Sequence, residues 1–245
     1  MNRFNGLIIS FIAGISTTLG YLSIYIQGKK ENIISKVLYF SSGVMITLSI
    51  IDLIPSSIKS FAIDKSFISS FANSILYFFI GFICCYLFDK IFKKEENLYN
   101  VGIISMLGII IHNIPEGIAT YVLSTINLKL GIILGIAVML HNIPEGICIA
   151  IPIYYSTFNK QKAFLYTFIS GISEFIGAFL SMLILYRYID NGIMGILYSI
   201  IAGIMIYISL FELNKTSKKY DSNNLNIYIF IGSIFILCVE IITKL

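Results

Sequence analysis

Polar residues in this chain fall into short clusters, and between the clusters the sequence is almost continuously apolar. A helix needs about 20 residues to cross roughly 30 Å of hydrocarbon. Runs of that kind occur eight times, at about 6–27, 35–56, 67–88, 99–123, 128–155, 162–186, 191–212 and 225–243. The pattern predicts an all-α integral membrane protein of eight transmembrane helices. Little sequence is left for a soluble unit, so 1–245 reads as a single transmembrane domain, and DKIFKKEENL at 89–98 as a short charged loop.

Composition agrees with this reading. Hydrophobic residues make up 57% of the chain and charged residues 12%, against about 25% charged in a soluble domain, and the mean hydropathy is +0.88. A net charge of +4 could suggest nucleic acid in a soluble protein. Here the basic residues sit in loops between spans, so the bilayer is the expected partner and nucleic acid is not. With the N-terminus outside, the inner loops carry eleven of the seventeen basic residues: Lys29, Lys30, Lys36, Lys90, Lys93, Lys94, Lys160, Lys162, Lys215, Lys218 and Lys219. Arg3, Lys59, Lys65, Lys129, Arg187 and Lys244 remain outside. The positive-inside rule therefore favours a multi-pass cell-membrane protein with both termini outside.

The first run follows Arg3 closely, as the apolar core of a signal peptide would, but it is long and no small-x-small cleavage site precedes Gln27, which predicts a retained helix. Cys84, Cys85, Cys148 and Cys238 lie within spans with no disulfide or metal-ribbon spacing and read as packing residues. Cys148, one turn beyond Glu145, could offer a soft sulfur. Trp is absent, so interfacial anchoring falls to tyrosines such as Tyr25, Tyr154, Tyr155, Tyr186 and Tyr188.

The chain also repeats itself. FIAGISTTLG at 11–20 matches FISGISEFIG at 168–177, aligning Gly14 with Gly171, Ser16 with Ser173 and Gly20 with Gly177. GVMITLSIIDL at 43–53 matches GIMIYISLFEL at 203–213, aligning Gly43 with Gly203, Ser49 with Ser209 and Asp52 with Glu212. YFFIG at 77–81 resembles YIFIG at 228–232 more weakly. Spans 1–3 thus recur as spans 6–8. Three spans followed by two extra ones force the second copy through the membrane upside down, and inverted repeats of this kind are a transporter signature with the binding site near the midplane.

The two extra spans, 4 and 5, each carry HNIPEG, at 112–117 and 141–146, which together hold both histidines of the chain. About four residues connect the two runs, so they must be antiparallel neighbours. An ionised glutamate at mid-membrane costs several kcal/mol unless paired or hydrated, which makes intramembrane acids functional suspects. His112 and Glu116 are i and i+4 on one helix face, as are His141 and Glu145. Two imidazoles and two carboxylates form a donor set suited to Zn²⁺ or another first-row divalent ion, and a dication held by two glutamates and neutral histidines is formally neutral. Pro115 and Pro144 should kink their helices and free the carbonyls of Ile111 and Leu140, while Gly117 and Gly146 permit close helix approach.

Glu174 in span 6 stands where its repeat copy has Thr17, and a carboxylate added to an otherwise apolar duplication suggests a specific role. Asn113 and Asn142 point about 100° around their helices from the histidines. With Glu116 and Glu145 bridging and Glu174 completing the set, they could bind a second ion. A single intramembrane histidine or asparagine more often makes an interhelical hydrogen bond; the duplication is what turns this group toward metal. Asp52 and Glu212, placed near opposite mouths by the inversion, could collect or release cations or be solvated acids at helix ends.

HNIPEGIAT, HNIPEGICIA and SGISEFIGA together resemble the ZIP (Zrt/Irt-like) family of divalent-metal transporters, its bacterial ZupT-like branch in particular. The resemblance covers essentially the whole chain and rests on the doubled HNxPEG. It implies a 3+2+3 inverted-repeat bundle of eight spans and uptake of Zn²⁺ and related ions into the cytosol. It places His112, Glu116, His141 and Glu145 at one metal site and Asn113, Asn142, Glu174 and the shared glutamates at a second. The loop after span 3 lacks the histidine-rich tract of many eukaryotic members, which puts metal sensing through that loop in doubt.

The leading expectation is a secondary transporter moving a divalent cation by alternating access, with Zn²⁺ (or Fe²⁺, Mn²⁺, Co²⁺ or Cd²⁺) as cargo rather than catalytic cofactor. The sequence has no nucleotide-binding GxxxxGK[ST] motif to drive it. An intramembrane zinc hydrolase is the rival from another class, although no HExxH or serine elbow is present. A passive metal channel is the third reading. A homodimer is a further expectation.

Overall fold

The computed structural model describes residues 2–92, 97–183, 190–221 and 223–244. Lys93, Lys94, Tyr186, Arg187 and Tyr188, and the side chains of Arg3 and Lys244, fall outside the described residues. Every long element is helical. We number the eight helices α1 (Asn2–Ser16, continued by a 3₁₀ stretch over Thr17–Tyr25), α2 (Lys30–Leu48, a π-helical stretch Ser49–Leu53, then Ile54–Ala62), α3 (Phe67–Phe92) and α4 (Leu98–Ile126). They continue as α5 (Leu128–Thr157), α6 (Lys160–Leu183), α7 (Asn191–Tyr207, π-helical Ile208–Asn214, then Lys215–Tyr220) and α8 (Ile227–Lys244). Seven are long and apolar enough to cross a membrane and the last is a shorter apolar helix. Large side chains such as Phe67, Ile68, Ile91 and Phe230 stand on the outside, as a hydrocarbon solvent requires.

α2 and α7 run past the predicted ends of their spans, to Ala62 and Tyr220. Asp52 and Glu212 are therefore not at helix ends. Both lie inside the π-helical stretches, with Asp52 half-buried and Glu212 1% exposed. The connection between α4 and α5 is a single residue, Asn127, rather than about four. It ends one helix and caps the next by accepting from the Leu130 amide. Gly28, at φ 152°, makes the turn between the 3₁₀ stretch and α2.

The inverted repeat is written into the helix contacts. A Cβ on Gly43 would collide with the Ile229 carbonyl, and one on its mate Gly203 with the Phe78 carbonyl. Gly232 meets Phe40 and Gly81 meets Ile200 in the same way. Under the repeat, Phe78 corresponds to Ile229, Gly81 to Gly232 and Phe40 to Ile200, so α2–α8 and α7–α3 are two copies of one backbone-to-backbone crossing. The weakest of the three sequence matches is thus carried by geometry as firmly as the others. Serines at the start of the π-helical stretches are also mates, Ser49 as the first residue of one donating to the Met45 carbonyl at 2.8 Å and Ser209 as the second residue of the other donating to the Met205 carbonyl at 2.7 Å.

The helices sort into two groups. α1, α4, α5 and α6 pack on one another, as do α2, α3, α7 and α8. Leu38, Met45 and Leu48 of α2, Ile149 and Ile151 of α5, and Met205 and Ile208 of α7 belong to one buried cluster where the groups meet. Gly14 of α1 and Gly171 of α6, themselves mates, each press on the carbonyl of the other, so the pseudo-two-fold axis passes through that crossing.

Candidate metal centre

His112 and His141 stand nearly equal distances along their helices from Asn127, about 22 Å at 1.5 Å per residue, which is the middle of each helix. α4 and α5 remain helical through Pro115 and Pro144. The two HNIPEG turns therefore lie side by side at one depth, and neighbouring helices fix their rotation. Gly117 sits against the Glu174 carbonyl of α6, and its mate Gly146 against the Thr17 carbonyl of α1. A side chain at either glycine would push the motif off the helix that orients it.

The four predicted donors converge. His141 Nε2 lies 2.9 Å from Glu116 Oε1 across the helix pair, and His112 Nε2 lies 3.4 Å from Glu145 Oε1, also across it. His112 Nε2 and Glu116 Oε2, within one helix, are 3.4 Å apart. The shortest pairing thus joins the helices instead of following the i, i+4 spacing. Donor atoms of His112, His141 and Glu145, all buried, lie within 4.8 Å of one another. Tetrahedral zinc with bonds of about 2.0–2.2 Å sets its donors roughly 3.3–3.6 Å apart. The observed separations need only small adjustments to admit such an ion.

The asparagines are held in matching ways. Asn113 Nδ2 donates to the Ser170 carbonyl of α6 at 3.1 Å, and Asn142 Nδ2 to the Ala13 carbonyl of α1 at 3.0 Å. Ala13 and Ser170 are repeat mates. A carbonyl can only accept, so each amide must turn its nitrogen outward to the flanking helix and its oxygen the other way. Both oxygens are buried without a hydrogen-bond partner among the described residues, so each has lone pairs open to a cation. Glu174 breaks the symmetry. Its Oε2 accepts from Asn142 Nδ2 at 2.8 Å while Oε1 is buried without a partner, and the charges of Glu116, His112 and Glu145 reach it.

Asp52 and Glu212 are not in this group. Tyr198 of α7, which no sequence motif marks, lies within reach of the charges of both Asp52 and Glu116. Glu212 belongs to a separate cluster in which the Tyr207 hydroxyl donates to Asp89 Oδ2 at 2.7 Å, with Cys85 close by. Cys148 donates its thiol to the Glu145 carbonyl at 3.0 Å, on its own helix, and behaves as a packing residue. At the helix ends the predicted anchors make cation–π contacts, Lys160 over Tyr25 at 4.5 Å and Lys30 over Tyr155 at 5.6 Å.

Residues 93–240 match the sequence profile of the ZIP zinc transporters. Over nearly full length the chain is similar to proteins described as the zinc transporter ZupT. That of Streptococcus mutans serotype c is 35% identical, with 98% of this chain and 97% of the relative covered. That of Clostridium perfringens is 33% identical, with 98% and 96% covered. That of Campylobacter jejuni is 35% identical, with 97% and 96% covered.

Proposed function

This chain belongs to the ZIP zinc transporter family, and from that premise we propose that it takes up Zn²⁺ into the cytoplasm through a binuclear centre midway across its helices. The family is one of transporters, so the enzyme reading falls. The observation that carries the proposal is the convergence of both HNIPEG turns: two imidazoles and two carboxylates from two helices, at donor separations of 2.9–3.4 Å.

In this reading His112, Glu116, His141 and Glu145 hold one ion. Asn113, Asn142 and Glu174, with the shared glutamates, hold the second. Each group has a distinct task. The histidines and glutamates replace the hydration shell of the cation and neutralise it, which is what a dication needs to occupy low-dielectric surroundings. The asparagine oxygens add neutral donors, so Glu174 is the one further acid that the second ion requires. Asp52 stands on the route from one side by way of Tyr198, and Glu212 on the route to the other. Two helix groups meeting across a largely apolar seam, with the proposed donors on α4, α5 and α6 of one group, support alternating access. Mixed His/Glu ligation also accommodates Fe²⁺, Mn²⁺, Co²⁺ and Cd²⁺. The basic loops set both termini outside, and 1–245 forms one transporter domain.

The test is ⁶⁵Zn²⁺ uptake into proteoliposomes by the wild type and by Glu116→Ala/Glu145→Ala, with folding of both checked by size-exclusion profile. Saturable uptake that disappears in the double variant is the expected result. A folded wild type that binds zinc and carries none would overturn the transport reading, and a flux that rises linearly with zinc would replace the carrier by a channel.

A further inference from the structure

A groove with a cavity volume of about 480 Å³ opens where the start of α2, the start of α8, the end of the 3₁₀ stretch and the middle of α5 come together. That volume is in the range of small-molecule sites, about 300–1,000 Å³, and far beyond the needs of an ion. Its two ends differ chemically. Gln27, Lys29 and Lys36 line the end nearest the helix termini, and Phe40, Ile147 and Ile231 line the end running toward the interior of the bundle. Three helical segments begin or end beside the basic end, at Tyr25, Lys30 and Ile227, so it lies at the membrane–water boundary while the apolar end lies at acyl-chain depth.

Neither groove lysine is paired with a carboxylate among the described residues. Lys36 rests over the Tyr228 ring at 5.5 Å, which holds its ammonium at the groove mouth. Neighbouring Lys30, by contrast, donates to the Tyr155 carbonyl at 3.1 Å and is engaged elsewhere. Two unpaired ammonium groups above an apolar slot are complementary to one amphiphile with an anionic head.

We propose that this groove binds a single anionic phospholipid of the adjoining leaflet, its phosphate between Lys29 and Lys36 and an acyl chain along Phe40, Ile147 and Ile231. Ile147 belongs to the metal-bearing helix group and Phe40 and Ile231 to the other. The bound lipid therefore bridges the seam. Binding itself does not depend on the transport reading, and the test is chosen to keep the two apart.

The measurement is native mass spectrometry of the purified full-length protein, metal-free, with equimolar phosphatidylglycerol and phosphatidylcholine of identical chains. Lysines near a membrane surface each favour anionic lipid substantially, so a preference of about 10-fold for one phosphatidylglycerol is expected. It should vanish in Lys29→Gln/Lys36→Gln and persist in Lys90→Gln/Lys162→Gln, which removes the same charge elsewhere. Ile231→Trp, filling the slot with no change of charge, should also expel the lipid and decides the matter if the groove double variant fails to fold. Equal retention of both lipids by the wild type, retention in Ile231→Trp, or equal loss in the two lysine variants overturns the proposal.

Discussion

Glu174 departs in charge from its repeat mate Thr17, and its consequence can be separated from folding. Threonine already occupies the equivalent position in α1, as buried Thr17, so Glu174→Thr inserts a side chain that the fold tolerates at the related crossing. It removes an acid and leaves Asn142 its bond to the Ala13 carbonyl. The expected outcome is a stable protein holding one zinc per chain where the wild type holds two, measured by metal analysis after equilibrium dialysis. Two ions retained by the variant would remove Glu174 from the centre. The remaining donors impose a pH dependence. Imidazole and carboxylate bind metal through the lone pairs that bind protons, so acid competes with zinc. Affinity should fall by at least about tenfold as pH drops from about 8 to 5, read by competition with a zinc-sensitive dye, and a flat profile would contradict His/Glu ligation.

Helices meet here through glycine backbones, and this makes element packing testable at symmetric points. Valine at Gly43 or at Gly203 would drive a side chain into a carbonyl of α8 or α3. Overpacking of this kind costs about 1–3 kcal/mol, so each should lower the unfolding temperature in detergent, and by similar amounts because the crossings are related. Gly192→Ala is the control, since its added carbon would meet only the Asp190 side chain; indifference at Gly43 and Gly203 would disprove the crossings. The same glycines show what the sequence discloses. Eight apolar runs, the doubled HNIPEG and two of the three repeat pairs are legible because hydrocarbon demands long apolar helices and duplication leaves letters behind. The π-helical stretches at Ser49–Leu53 and Ile208–Asn214 are not, for neither contains a proline or a glycine to mark it. Nor is the 3₁₀ stretch of α1, whose repeat copy in α6 is plain α-helix. The outward turn of the asparagine amides was equally hidden, since it depends on carbonyls supplied by α1 and α6.

At the scale of the whole molecule, the proposed centre, carried by one helix group, would change its access only if that group shifted against the other, and the contacts across the seam would then differ between states. One such contact is polar and buried: Ser41 Oγ of α2 donates to the Pro144 carbonyl of α5 at 2.8 Å, inside the second HNIPEG turn. This bond ties the second HNIPEG turn to the opposite group in the present arrangement. Interhelical hydrogen bonds in membranes are worth about 0.6 kcal/mol on average and up to about 1.7, which is about 3-fold to nearly 20-fold in an equilibrium between two arrangements. Ser41→Ala touches no metal donor. It should therefore leave the zinc dissociation constant of the detergent-solubilised protein within about twofold while changing the maximal rate of ⁶⁵Zn²⁺ uptake by about threefold or more. A variant with unchanged rate would mean that this bond survives the transport cycle, and the seam between the two groups would then have to be sought on the other side of α2.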